Sequence, residues 1–148
     1  MRATALAAFA SVLGAGAPIP ALAKVGTISP SRSKGDLLFY AIPAGDGVLV
    51  DEPNDVVITR VQHSVYAFSL ACPHRSTETL RWNEAAGIFI CPKHKAEFGQ
   101  DGALLRGKPD RSMDRYAVRR DGGSLAVDTR TIYEEDLDAQ WAKALVTA

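Results

Sequence analysis

Residues 71–98, "ACPHRSTETLRWNEAAGIFICPKHKAEF", hold both cysteines of the 148-residue chain and two of its three histidines. They fall as Cys72-Pro73-His74 and Cys91-Pro92-Lys93-His94, with sixteen residues (75–90) between His74 and Cys91. Thiolate and imidazole are the soft and borderline metal ligands. Within each pair the two side chains reach one site only if the backbone turns sharply, and Pro73 and Pro92 stiffen such a turn. Two loops of this kind, held side by side by paired strands, present two thiolates and two imidazoles together. The residues alone leave three readings open: coincidence, a structural zinc site of Cys₂His₂ type, and a [2Fe–2S] cluster with mixed ligands. The duplicated Cys-Pro-(x)-His counts against coincidence. Zinc patterns group cysteines with cysteines and histidines with histidines, whereas each arm here mixes one of each.

The sequence around the arms is a series of short strand-like runs separated by turn signals. Candidate strands are 37–40, 48–50, 56–60, 64–69, 79–82, 87–90, 115–119 and 124–128. Between them lie "AGDG" (44–47), "EPND" (52–55), "NEAAG" (83–87), "GQDG" (99–102) and "RDGG" (120–123). Many short strands at regular spacing indicate an all-β sandwich or barrel. "VVITRVQHSVYAFSLAC" (56–72) reads as a hairpin that delivers Cys72 just past a strand end, and "GIFICPKH" (87–94) does the same for Cys91. Trp82 reads as core or as a cover for the base of the site, and His63 as an ordinary turn histidine. At the far end, Tyr133, Leu137, Trp141 and Leu145 recur every four residues. That stripe predicts an amphipathic helix over 131–148, with Glu134, Glu135 and Asp136 in its first turn, where the helix dipole favours negative charge.

With 47% hydrophobic residues the chain suits one domain with an ordinary core. Seventeen basic residues balance seventeen acidic ones, so global charge indicates neither a nucleic-acid partner nor an anionic membrane. No internal repeat, phosphate-binding loop, Ser/His/Asp set or carboxylate pair is recognisable. Residues 1–23 differ from the rest: Arg2, an Ala/Leu/Gly stretch, Pro18 and Pro20, then Ala21-Leu22-Ala23, the small-x-small pattern of a signal-peptidase site. An export signal is expected here, with a retained membrane anchor as the alternative; the two prolines make the stretch a poor span. Residues 24–35 form a polar lead-in.

The ligand spacing resembles that of the Rieske iron–sulfur family, Cys-x-His, fifteen to seventeen residues, Cys-x-x-His. The resemblance extends over roughly 35–128. It includes "FGQDGALLRGKP" (98–109), which is similar to the family's continuation into a proline-bearing loop covering the cluster, here Gly107 to Pro109. It implies a Rieske-like antiparallel β-sandwich or barrel over 36–130 with a cluster-binding subdomain and one [2Fe–2S] cluster per chain. Cys72 and Cys91 would hold the inner iron, and His74 and His94 the outer iron near solvent. The function implied is one-electron transfer as a periplasmic carrier or small subunit of an oxidoreductase, resembling arsenite oxidase or quinol–cytochrome c reductase. A ferredoxin or small-subunit component of an oxygenase or nitrite reductase is the alternative, and a zinc-binding module the alternative of another class. No catalytic site of the chain's own is evident. The redox partner would be a cytochrome or a large oxidoreductase subunit.

Two departures from high-potential members stand out. Such members carry an extra cysteine in each loop, joined as a disulfide, and Gly-Ser-x-Tyr after the second histidine. Here no cysteine is spare, and the run is His94-Lys95-Ala96-Glu97-Phe98, which supplies no hydroxyl. Hydroxyl hydrogen bonds to cluster and ligand sulfur favour the reduced cluster, so a potential below the quinol-oxidising type is expected. Lys95 stands where the pattern has glycine and bears on the backbone geometry of that loop. The cluster-bearing loops carry Arg75, Lys93, Lys95, Arg106, Lys108 and Arg111 against Glu78, Glu97 and Asp110, a positive docking face suited to an acidic patch on the partner.

Export of a protein with a preassembled cluster uses a twin-arginine signal, and "MRATALAAFASVLGAGAP" (1–18) is similar to the part of such a signal just after the arginine pair. Translation is therefore expected to start upstream of Met1; an in-frame stop codon directly before Met1 in the gene would rule this out.

Overall fold

The computed structural model describes residues 24–148; the expected export signal lies outside the described residues. The strands are β1 (Val25–Thr27), β2 (Arg32–Lys34), β3 (Leu37–Ala41), β4 (Gly47–Asp51), β5 (Val56–Val61), β6 (Ser64–Ser69), β7 (Ala71–Cys72) and β8 (Arg75–Thr79). They continue as β9 (Arg81–Asn83), β10 (Ile88–Ile90), β11 (Glu97–Phe98), β12 (Leu104–Arg106), β13 (Arg115–Asp121), β14 (Ser124–Tyr133) and β15 (Val146–Thr147). The all-β expectation holds.

A nine-stranded sheet runs in the order β1-β4-β5-β6-β13-β14-β3-β2, with β15 also pairing β6. Its pairs are antiparallel except β1 with β4. A four-stranded sheet, β12-β11-β10-β9, and the β7–β8 hairpin form the smaller subdomain that carries the cysteines. The turn signals do what their chemistry requires. Gly122-Gly123 closes the β13–β14 hairpin, with Gly122 at φ 60° and Asp121 paired to Ser124. "EPND" becomes a 3-10 turn over Glu52–Asn54, ended by Asp55 at φ 54°.

Side chains alternate across a strand, and here both faces of the β5–β6 hairpin are buried. Val56, Ile58, Val65 and Ala67 point into one core with Tyr40, Leu125 and Val127. Val57 and Phe68 point into a second core with Leu70, Leu80, Phe89, Phe98, Met113 and both cysteines. The smaller subdomain is therefore a second layer on the main sheet. Gly102 marks how closely the layers approach: a Cβ there would lie 2.4 Å from the Phe68 ring, and its φ is +79°. No side chain larger than hydrogen fits that contact.

Three expectations change. The strand expected over 79–82 is split, because Leu80 turns inward to full burial and its N–H donates to Leu70 O at 2.8 Å. The lead-in at 24–35 is not outside the domain; it supplies β1 and β2, both three residues long and mostly exposed, at the two edges of the main sheet. The helix over 131–148 does not form. β14 runs on to Tyr133, residues 134–138 make a turn, Trp141–Lys143 a 3-10 turn, and Val146–Thr147 a strand on β6.

Long-range partners override the four-residue period of that segment. Glu134 and Asp136 both bond Arg111, which residues about 200° apart on a helix could not do together. The Asp138 carboxylate accepts the Glu134 N–H at 3.1 Å, locking the turn. Trp141 stacks on the buried Arg115 guanidinium, 3.6 Å from ring centroid to Cζ, and donates Nε1–H to Met113 O at 2.9 Å. Leu137, central to the supposed apolar stripe, is 73% exposed. The segment 134–147 is thus a strap laid across the main sheet and the base of the smaller subdomain.

Candidate metal centre

The first arm is a two-residue turn. Cys72 pairs with Arg75 across β7–β8, and Pro73-His74 forms the tip. A register shift falls between Ala71 and Cys72, and the cysteine is buried. The second arm closes the β10–β11 hairpin: Cys91 N–H donates to Ala96 O at 2.9 Å, Lys95 N–H to Cys91 O at 3.0 Å, and Pro92-Lys93-His94 form the turn. Lys95 sits at φ 57°, the left-handed conformation that glycine takes without cost. Its backbone closes the turn nonetheless, and its Nζ donates to Pro92 O at 2.7 Å. The loop geometry survives the loss of glycine.

The four expected ligand side chains come together in two levels. Cys72 and Cys91 are 1% and 0% exposed, in the core with Leu70, Phe89 and Phe98. His74 and His94 lie partly exposed above them. Their Nδ1 atoms are 3.4 Å apart, the rings meet at 84°, and His94 Nδ1 is 3.7 Å from Cys91 Sγ. Burial pushes the Cys72 thiol pKa up; backbone N–H groups of His74 and Arg75 bonded to it pull the other way, and the neighbouring Cys91 thiol raises it again. Desolvation, then the nearby His74, Lys93 and Arg75 charges, lower the His94 pKa, which favours the neutral imidazole that binds metals. Among the described residues no three His, Cys, Asp or Glu side chains gather tightly enough for a single metal ion. Thiols below and imidazoles above suit a two-iron group better than one tetrahedral zinc.

The surroundings complete the site. Trp82 packs edge-on against Phe89, ring centroids 4.8 Å apart, beside the core that contains both cysteines. Ala96 and Phe98 are fully buried next to the second arm and bring no hydroxyl. The loop beginning at Gly107 lies directly on that arm: a Cβ at Gly107, φ +96°, would stand 2.9 Å from Ala96 Cα. Ser112 Oγ accepts Leu104 N–H at 3.2 Å across the base of this loop. His63 lies exposed in the β5–β6 turn, outside the site, where its carbonyl accepts the Ala148 N–H at 2.8 Å.

Over residues 42–117 the chain matches the family described as Rieske [2Fe-2S] domain. The chain belongs to this family. Its cofactor is accordingly one [2Fe–2S] cluster, and the donor set just described fits it. The chain is 33% identical over 88 residues to the cytochrome b6-f complex iron-sulfur subunit of Chlorobaculum tepidum, covering 58% of this chain and 48% of that one. It is 25% identical over 122 residues to the cytochrome b6-f complex iron-sulfur subunit 2 of Synechocystis, covering 80% and 64%. This Rieske chain thus spans about half the length of most curated relatives it matches. A solved neighbour is the cyanobacterial plasma membrane Rieske protein PetC3 from Synechocystis, at 26% identity and a TM-score of 0.42 over 63% of this chain and 86% of that one.

Charge around the site is less one-sided than the sequence suggests. Lys93 pairs with Glu78 at 3.2 Å and Arg106 with Glu97. Arg111 is turned inward, 13% exposed, among Asp114, Glu134 and Asp136. Among the described residues, Arg75, Lys95 and Lys108 are in no ion pair. The structure brings the four sequence-expected ligand residues to one place; sequence reading set Arg111 among the outward cations and Glu134 and Asp136 in a helix, and missed their cluster.

Replacing Lys95 with glycine removes a left-handed strain of about 1–2 kcal/mol and adds roughly 0.5–1 kcal/mol of unfolded-chain freedom. Lys95→Gly is expected to stabilise the protein by about 0.5–1 kcal/mol in urea unfolding with an unchanged slope; an equal or lower midpoint would show that the strain does not exceed what glycine's freedom and the lost Lys95–Pro92 bond cost.

Proposed function

We propose that this Rieske domain is a one-electron carrier whose cluster is held by Cys72 and Cys91 on the buried iron and by His74 and His94 on the outer iron. The observation that carries this reading is the pair of imidazoles meeting at a partly exposed tip above two buried thiols. When bound, the cluster supplies one-electron oxidation and reduction. The buried thiols keep water from the inner side, and the two imidazoles form the exit toward a partner, with their outer nitrogens positioned to hold or release a proton.

The relatives named as cytochrome b6-f subunits support a cytochrome or cytochrome-containing oxidoreductase as the partner. The site itself argues for a lower potential than that of a quinol oxidiser. With two cysteines in the chain and both serving as ligands, no disulfide joins the loops, and Ala96 and Phe98 donate no hydrogen bond to sulfur. Export to the periplasm, with residues 1–23 as the signal or as a retained anchor, completes the reading. No helix among the described residues is long and apolar enough to cross a membrane.

Purified protein is expected to be red-brown, with two irons per chain and the anisotropic EPR signal of a reduced mixed-ligand cluster. Its midpoint potential is expected in the lower part of the Rieske range of roughly −150 to +300 mV. His74→Ala and His94→Ala should each abolish the signal. A colourless zinc protein would refute the cluster reading, and a strongly positive midpoint at neutral pH would refute the low potential.

Arg75, Lys95 and Lys108 remain to face a partner, and we expect that partner to be acidic around its own redox centre. Electron-transfer rates with it should fall as ionic strength rises; rates indifferent to salt would remove the charge argument.

A further inference from the structure

The sequence places Arg111 among the docking cations, and the structure points it inward. Its guanidinium binds three segments at once. Nη2 donates to Pro73 O at 3.2 Å and to Asp114 Oδ2 at 3.3 Å. Nη1 lies 3.1 Å from Asp114 Oδ1 and bonds Glu134 and Asp136, the latter at 3.3 Å. Pro73 is the residue between Cys72 and His74.

The Pro73 carbonyl belongs to the same planar peptide unit as the His74 N–H, and in a trans peptide the two point in opposite directions. That peptide forms the tip of the turn between Cys72 and Arg75. A guanidinium fixed on the carbonyl side therefore orients the peptide plane between Cys72 and His74 and polarises its N–H. We infer that Arg111, anchored by the acidic turn of the strap, is a positioning residue for the first ligand loop and acts on the cluster through the Pro73–His74 peptide. This rests on the assignment of Cys72 and His74 as ligands.

The choice of residue fits the task. Four acceptor groups from Pro73, Asp114, Glu134 and Asp136 surround one planar fork. Lysine, a single ammonium centre, cannot serve them in that plane. Three carboxylates around one cation also explain why the acidic run holds: Asp114 is partly buried, its side chain 14% exposed, and that burial pushes its pKa up to about 6 against the pull of Arg111. Without the guanidinium these carboxylates would face one another, and the strap would lose its tie to the loop.

The test uses the full-length holoprotein with Arg111→Lys, Arg111→Met and the double variant Glu134→Gln/Asp136→Asn. Iron release to a chelator is expected to quicken about ten-fold for both Arg111 variants, the lower end for lost outer-sphere support, and less for the double variant. The midpoint potential should fall in the Arg111 variants as the guanidinium's hold on the Pro73–His74 peptide is lost, and the EPR g values should shift. In cluster-free protein, amide exchange should rise over 72–79 and stay unchanged in β5 and β6. An Arg111→Lys protein with wild-type iron release, potential and EPR overturns the inference, as does a uniform rise of exchange along the chain. If Arg111→Met does not fold, Arg111→Lys and the double variant decide. A wild type without the cluster signal overturns the ligand assignment and this inference together; a normal wild type with unaltered variants overturns this inference alone.

Discussion

Burial of both faces of the β5–β6 hairpin is the constraint from which the architecture follows. A sheet with one wet face needs a single core, but Val57 and Phe68 on one side and Val56, Ile58, Val65 and Ala67 on the other each demand a cover. The rest of the main sheet curls to cover one side. The two cysteine-bearing hairpins cover the other, so the thiols come to lie in a hydrophobic core because their strands are the second layer. Contact between Phe68 and Gly102 sets the spacing of the layers. The imidazoles remain at the far rim, where the layer ends and solvent begins.

This arrangement divides the chemistry by depth. Both cysteine side chains lie where water is scarce, and both imidazoles at the partly exposed rim. Packing rather than hydroxyl groups lines the second arm, since Ala96 and Phe98 are buried in contact with the core and the loop at Gly107 rests on Ala96. A lysine in a left-handed backbone position closes that arm without disturbing its hydrogen bonds. The departures from the high-potential pattern thus change the electrostatics of the site while leaving its backbone closed.

What could be read from the sequence is what local chemistry decides. The ligand spacing, the proline-stiffened turns and the runs at 37–40, 48–50, 56–60 and 64–69 are set by neighbours a few residues apart, and the structure has strands there. β1 and β2 escaped because strands of three mostly exposed residues are too short to show a readable alternation. The tail misled because its helical period is real but weaker than its distant partners: Arg111 and Arg115, both more than twenty residues earlier, take Glu134, Asp136 and Trp141 in positions no helix allows. The charges around the site were visible as residues, but their pairing with Glu78, Glu97 and the acidic turn depends on the fold.

The strap also sets an order in time. Glu134 follows Pro73 by 61 positions (134 − 73), and a ribosome adds about 5–20 residues each second. For about 3–12 s at those rates, the first ligand loop exists while the residues that anchor Arg111 against it have not been made. Through that interval the loop lacks the strap's part of its clamp, so the chain's own synthesis completes the site last.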